Sequence, residues 1–171
     1  MNAIKKAEQD VIKHQLKQLK IINITCFIAL YRFGWDADKI IERFNQATDI
    51  WNECKENHSS TLELLEQETG IELMLDGEKT YHDFTQLRYV EREVTPAQYI
   101  YSLYRRKRWI APLILGCILI ALHRVDGWEY DELSAFIIET DMIRKTCGED
   151  VEKYEEAMAE ETGYTPRLWG D

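Results

Sequence analysis

The sequence predicts an all-α protein built from two related antiparallel helical hairpins around one core. The 171 residues include only eight Gly and three Pro, which suits long helices better than many short strands. Apolar residues recur at helical spacing along most of the chain, as expected for helices that bury one side. A phrase that ends one helix and starts the next occurs twice, as ALYRFGWDAD at 29–38 and as ALHRVDGWEYD at 121–131.

Composition favours a single folded domain over residues 1–171. Hydrophobic residues make up 45% of the chain and charged residues 30%, which is the balance of a globular protein and not of a disordered one. The first residues are too polar for a secretory signal, and the longest apolar run, Ile110–Leu122, is too short to span a membrane. A cytoplasmic protein without membrane contact is predicted. Its parts are a first hairpin (1–58), a connecting segment (59–94), a second hairpin (95–148) and an acidic helix with a tail (149–171).

The first hairpin follows from two amphipathic patterns joined by a glycine turn. Residues 3–33 place apolar side chains on one side and lysines on the other, which predicts one long helix. Gly34 supplies the positive φ that ends this helix, and Asp36 can cap a second helix that runs to about Asn57. The lysines form a stripe made of Lys6, Lys13, Lys17 and Lys20.

The connecting segment opens with a short helix. Ser60 followed by Glu63 is the pattern of a capping box, and Gly70 ends the helix that this pattern begins. Residues 71–94 are ambiguous, because Asp76-Gly77 favours a small β-hairpin while helical fragments fit almost as well. A short irregular insert or a small hairpin is therefore expected at about 71–94.

The second hairpin begins at Thr95-Pro96, a threonine cap followed by proline at the first helical position. Pro112 is expected to kink or restart this helix, because proline removes a backbone donor and clashes with the preceding turn. The helix ends at Asp126-Gly127, and another follows from about Glu129 to Thr146. An acidic helix over about 149–161 and an extended tail complete the chain.

The repeated phrases align residue by residue. A shift of 93, the difference between 34 and 127, carries Gly34, Trp35 and Asp38 onto Gly127, Trp128 and Asp131. The Ala-Leu pair before the turn needs a shift of 92, from 29 to 121, so the second turn has one extra residue. Duplication and convergence on the same turn chemistry both explain this pattern. Each tryptophan is expected to be buried against its own hairpin, and the two turns could form one binding surface.

The stretch Phe33-Gly34-Trp35, placed after a helix that ends in Leu-Tyr, resembles small uncharacterised helical proteins carried by phages, prophages and mobile elements of Gram-positive bacteria. The resemblance covers residues 24–54 and, in the second copy, 117–147. In those proteins the phrase typically reads FGFG followed by basic residues, whereas Asp36-Ala37-Asp38 stands here. The resemblance implies an accessory protein of a mobile element and assigns no activity to particular residues.

The sequence contains no familiar catalytic or metal-binding pattern. The four histidines are scattered, and the four cysteines show neither CxxC nor zinc-ligand spacing, so the cysteines are expected to be reduced and mostly buried. The i, i+3 pairs Glu63–Glu66 and Glu152–Glu155 would suit a metal-dependent helical hydrolase only if facing helices added carboxylates. A non-enzymatic protein without cofactor, metal or catalytic residue is predicted, and the all-α metal-dependent hydrolase is kept as a second alternative.

Charge is distributed unevenly along the chain. The net charge is −10. Residues 1–128 hold 18 acids and 17 bases, and residues 129–171 hold 13 acids and 4 bases. The excess of acid argues against general nucleic-acid binding. The basic cluster at 105–108 lies between aromatic residues. Its cations could still bind phosphates while the aromatic rings stack on bases, so a nucleic-acid-associated regulator is the first alternative.

The charged residues provide the candidate partner-binding positions. The basic candidates are Lys13, Lys17, Lys20, Arg105, Arg106 and Arg108, and the acidic candidates are Glu152, Glu155, Glu156 and Glu160. The acidic helix could solubilise the protein, neutralise the basic residues, or project as an arm that imitates phosphates. The projecting arm is favoured because the helix has few apolar residues for docking. The leading interpretation is an interaction protein that binds, and could inhibit, a host protein or assembly, with self-association left open.

Overall fold

The computed structural model describes residues 2–56, 60–73 and 94–165. All regular structure within these residues is helical, which confirms the predicted all-α class. The insert predicted at about 71–94 and the end of the tail lie largely outside the described residues. The helices are α1 (Ala3–Arg32), α2 (Ala37–Glu56), α3 (Thr61–Thr69), α4 (Pro96–Asp126), α5 (Tyr130–Cys147) and α6 (Val151–Thr162).

Local capping signals set where the helices begin. The Asp36 carboxylate accepts a hydrogen bond of 2.9 Å from the Lys39 backbone N–H at the start of α2. At the start of α4, the Thr95 hydroxyl accepts from the Gln98 N–H at 3.2 Å, and the Gln98 side chain accepts from the Thr95 N–H at 2.9 Å. These bonds satisfy backbone donors that a helix leaves without an internal partner, so the predicted starts are close to the observed ones.

The two hairpins interlock. Helices α1 and α4 lie side by side in the centre, and their fully buried residues, among them Phe27, Leu30, Leu119 and Leu122, form the middle of the core. Helix α2 packs mainly against α4, while α5 and α6 pack mainly against α1. The second helix of each hairpin is therefore supported by the first helix of the other hairpin.

Helix α4 continues through Pro112 without a break. Of the two outcomes predicted there, a kink or a restart, the restart is therefore wrong. Ile110 and Ile114 on either side are buried, and this packing holds the helix together across the hydrogen bond that proline removes. By length and composition alone α4 could cross a membrane. However, 67% of its most apolar 18-residue window is buried inside the protein. Length and composition are therefore weak evidence for a membrane span, because core helices pass the same test.

The acidic helix α6 docks on α1, so the projecting-arm interpretation is wrong. Tyr154 and Met158 are fully buried, and the Tyr154 hydroxyl donates to the Gly148 carbonyl at 2.6 Å. The carboxylate of Glu155 pairs with Lys20 at 2.7 Å. A narrow apolar stripe is enough for docking because its two large side chains are removed completely from water.

Candidate functional site

The two repeated turns meet at one end of the bundle, which we call the turn end (residues 31–38 and 124–131). The rings of Trp35 and Trp128 contact edge to face, with centroids 5.7 Å apart. Phe33 lies 5.7 Å from Trp128, and Phe136 of α5 lies 5.9 Å from it. Both tryptophans are only partly buried, less than expected, because they pack on each other at the end of the bundle and not between helices.

The same backbone hydrogen bond holds each tryptophan. The Trp35 N–H donates to the Leu30 carbonyl at 3.1 Å, and the Trp128 N–H donates to the Leu122 carbonyl at 3.3 Å. These leucines are equivalent in the two phrases, and the second turn spans one more residue. The glycine before each tryptophan has a positive φ, 89° in the first turn and 70° in the second, which lets the chain reverse after the helix.

The extra residue of the second turn forms a buried ion pair. Asp126 has no counterpart in the first phrase, and both its carboxylate oxygens accept hydrogen bonds from Arg43 of α2, at 2.6 and 2.8 Å. The Arg43 side chain is only 4% exposed. It also donates to the Gln46 side chain, and its guanidinium lies 5.4 Å from the centre of the Trp35 ring. The pair therefore fixes α2 to the end of α4, beside the tryptophans.

Large apolar side chains are exposed at the turn end. Tyr31, Phe33, Val125 and Tyr130 are between 38% and 55% exposed. All four lie in or directly next to the two turns, which meet through Trp35 and Trp128, so exposed apolar side chains are concentrated at this end of the bundle. The exposed carboxylates in the same turns and the first turns of α2 and α5 are Asp36, Asp38, Glu129, Asp131 and Glu132. The turn end thus offers apolar and aromatic contacts with an acidic surround.

Arginines of the two phrases hold the outer helices. The Nε and Nη2 atoms of Arg32 donate to the Glu161 carboxylate of α6 at 2.5 and 2.9 Å. The same atoms of Arg124 donate to the Glu68 carboxylate of α3 at 2.9 and 2.8 Å. These hydrogen bonds raise the pKa of both guanidinium groups. Each pair joins an arginine of one half to a glutamate of the other half.

Sequence reasoning missed this second part of the repeat. Glu68-Thr69-Gly70 and Glu161-Thr162-Gly163 are identical triplets separated by the same 93 residues as the turns, from 68 to 161. In each triplet the threonine hydroxyl donates to the carbonyl four residues earlier at 2.6 Å. It also accepts from the backbone N–H two residues later, at 3.1 and 3.2 Å. Extending the alignment of the chain with itself would have found the triplets.

The charged candidates do not gather into one site. Lys20 is neutralised by Glu155 of α6, whereas burial and the charge of Lys107 lower the pKa of His14. His14 of α1 therefore lies close to Lys107 of α4. Most of the other candidates are exposed: Lys13 and Lys17 on α1, Arg108 on α4, and Glu152, Glu156 and Glu160 on α6. Arg105 and Arg106 of α4 are half-buried.

In the part of the chain that the structure describes, no three His, Cys, Asp or Glu side chains are placed to hold a metal ion. All four cysteines are buried and free, as predicted. Burial raises the pKa of Cys117 to about 12, so this thiol is neutral and a poor nucleophile at physiological pH.

Comparison with models of known protein families, with curated proteins and with solved structures finds no match to this chain. Function is therefore inferred from the geometry and chemistry of the chain itself. The turn end is where the repeated phrases, the buried ion pair and the exposed aromatic residues coincide.

Proposed function

We propose that this protein is a non-enzymatic interaction protein and that its turn end binds a partner protein. The exposure of Tyr31, Phe33, Val125 and Tyr130 in two adjoining turns carries the proposal. Contiguous apolar patches on a protein surface mark interaction sites, and aromatic residues supply much of the binding energy in protein interfaces.

The structure of the turn end suits binding because its scaffold is held firmly. The ion pair between Arg43 and Asp126 joins the two hairpins, and the contact between Trp35 and Trp128 joins their turns. A preorganised surface loses less conformational entropy when a partner binds. The acidic surround favours a partner with basic residues around an apolar centre and should speed association at low salt.

We also infer that the two halves arose by duplication of a three-helix unit, α1–α3 and α4–α6. The inference is supported by the shared tryptophan hydrogen bonds, the crossed arginine–glutamate pairs and the repeated Glu-Thr-Gly triplets. The resemblance to proteins of phages and mobile elements favours a cytoplasmic host protein or assembly as the partner, which this protein would bind and could inhibit.

The test is affinity capture from a bacterial host lysate with tagged full-length protein. One variant carries Tyr31→Ser, Val125→Ser and Tyr130→Ser at the turn end. The matched control carries Ile138→Ser and Met142→Ser, two exposed apolar residues of α5 outside the turn end. We expect a specific partner to be captured by the wild type and the control and lost with the turn-end variant, at unchanged melting temperature. Equal capture by all three proteins would contradict the proposal.

Two further measurements address the other function classes. Gel shifts with DNA and RNA at two salt concentrations test a nucleic-acid-associated regulator, for which binding must weaken as salt rises. Thermal shifts with Mg²⁺, Mn²⁺ and nucleotides test a metal-dependent hydrolase. Tight, salt-sensitive binding of nucleic acid, or a metal-dependent rise in melting temperature, would favour those classes over a protein partner.

A further inference from the structure

A second surface with binding features lies on the side of the bundle. A groove of about 560 Å³ opens between α1 and α2, with α4 as its floor. Leu16 and Leu19 form one wall, Ile41 and Trp51 form the other, and Ile114 and Ile118 lie at the bottom. The lining residues of α1 lie eight or more residues before the turn end, and those of α2 begin three residues after it. None of the lining residues belongs to the turn end, so the groove is a different surface.

The dimensions of the groove match a helix. Its lining runs from Gln15 to Asn23 on α1 and from Ile41 to Trp51 on α2. At 1.5 Å of rise per residue these stretches are about 12 and 15 Å long. That length holds between two and three turns of a helix, enough for three or four apolar anchors at i, i+3, i+4 and i+7 spacing.

The rim of the groove on α1 is apolar where a free helix surface would be polar. Ile12, Leu16 and Leu19 are 58%, 62% and 40% exposed, and they follow one another at i, i+4 and i+7. Three large aliphatic side chains exposed in a row continue the apolar lining outward. Contact between these apolar side chains and water is unfavourable, and a partner that covers them would displace that water.

Positive charge lies beside this apolar row. Lys13 and Lys17 each directly follow a member of the row, Ile12 and Leu16, and both lysines are exposed. Within the described residues neither lysine takes part in an ion pair, whereas Lys20 on the same stripe is already paired with Glu155. Although the whole chain carries a net charge of −10, salt screens charges beyond about 10 Å at 0.1 M. Of the acids near this part of α1, Glu155 is paired with Lys20 and Glu149 accepts a hydrogen bond from Gln18. Within the described residues, Lys13 and Lys17 therefore contribute positive charge at this rim that no ion pair cancels.

We propose that this groove binds an amphipathic helix of a partner protein, one that carries acidic residues along the edge facing Lys13 and Lys17. The apolar side of the incoming helix covers Leu16 and Leu19 and enters the groove. Its carboxylates pair with the two lysines. This is a second interaction surface, and it does not depend on a partner at the turn end.

The test uses two synthetic 18-residue helical peptides with the same apolar side, measured by fluorescence anisotropy with the full-length protein. One peptide has glutamates along one edge and the other has lysines there. We expect the glutamate peptide to bind at least about tenfold more tightly, and this preference to shrink as salt rises. Lys13→Glu with Lys17→Glu should reverse the preference. The control, Lys145→Glu with Lys153→Glu, changes the net charge equally and should leave the preference intact.

A second variant, Leu16→Ser with Leu19→Ser, should lose both peptides and lower the melting temperature only slightly, because the leucines are 62% and 40% exposed. Absence of binding by either peptide, or binding that neither pair of substitutions alters, would overturn the proposal. So would a concentration-dependent dimer that the leucine variant abolishes, since a second copy would then be the occupant. The turn-end serine variant should still bind the glutamate peptide, so failure at one surface is distinguishable from failure at the other.

Discussion

Replacing Asp126 by alanine should destabilise the protein substantially, because it leaves the Arg43 guanidinium without its counter-charge. Arg43 is 4% exposed and gives two hydrogen bonds to Asp126. Removing one partner of a buried ion pair costs about 3–5 kcal/mol. Asp126 itself is 11% exposed, and Gln46 still accepts from Arg43, so the lower end, about 3 kcal/mol, is expected. In a chain of this size that loss corresponds to a fall in melting temperature of roughly 6–12 °C.

The measurement is equilibrium unfolding in urea at pH 7, followed by circular dichroism, with a thermal melt as a second readout. The double variant Arg43→Met with Asp126→Leu should lie within about 1 kcal/mol of the wild type, since apolar replacement of both partners removes the desolvation cost. As a matched control, Glu155→Gln breaks the exposed pair with Lys20 and should cost at most about 1 kcal/mol.

Two results would refute this reasoning about the buried pair. A loss below about 1 kcal/mol for Asp126→Ala would show that Arg43 reaches water or another acceptor. A double variant as unstable as the single one would show that packing around these positions matters, and that the uncompensated charge does not. Either result would also weaken the argument that the turn end is rigid.

Three other outcomes are expected. Thr69→Val and Thr162→Val should each cost about 1–3 kcal/mol in urea unfolding, since each leaves a backbone N–H without its acceptor; very different losses would speak against equivalent halves. Gly127→Ala should cost about 1–2 kcal/mol because of its positive φ, and Gly127→Asn should cost less. Burial and the hydrogen bond to Glu8 raise the pKa of Tyr99 from 10.0 to about 12. The protonated Tyr99 should therefore add a constant stability below pH 10, and this stability should be lost between pH 10 and 12. Urea midpoints that do not change over that range would contradict this.

The sequence predicted the helices well because their signals are local. Periodicity, caps such as Asp36 and Thr95, and the glycines after α1 and α4 act within a few residues. The predicted restart of the helix at Pro112 was wrong because the burial of Ile110 and Ile114 outweighed the local tendency of proline to interrupt a helix. The prediction that α6 projects from the bundle was wrong because it considered only how few apolar residues the helix has. Two of them, Tyr154 and Met158, are fully buried, and their burial is enough to dock the helix.

The candidate site was predictable only in part. Both turns were recognisable from their repeated phrases, but their contact through Trp35 and Trp128 depends on how the hairpins interlock, which no local pattern encodes. The same holds for Arg43 and Asp126, which are 83 residues apart. The groove could not be predicted from the sequence either, because its walls come from α1 and α2 and its floor comes from α4.

The docking of the last helix on the first has a consequence for synthesis of the chain on the ribosome. Arg32 at the end of α1 meets Glu161 near the end of α6, 129 residues later. At about 5–20 residues per second, the apolar surface of α1 waits roughly 6–26 seconds for α6 to emerge. During that interval the nascent N-terminal half exposes apolar residues that are later buried, and such surface is the kind that chaperones bind. Contacts of such high sequence separation also predict slow folding for a helical protein.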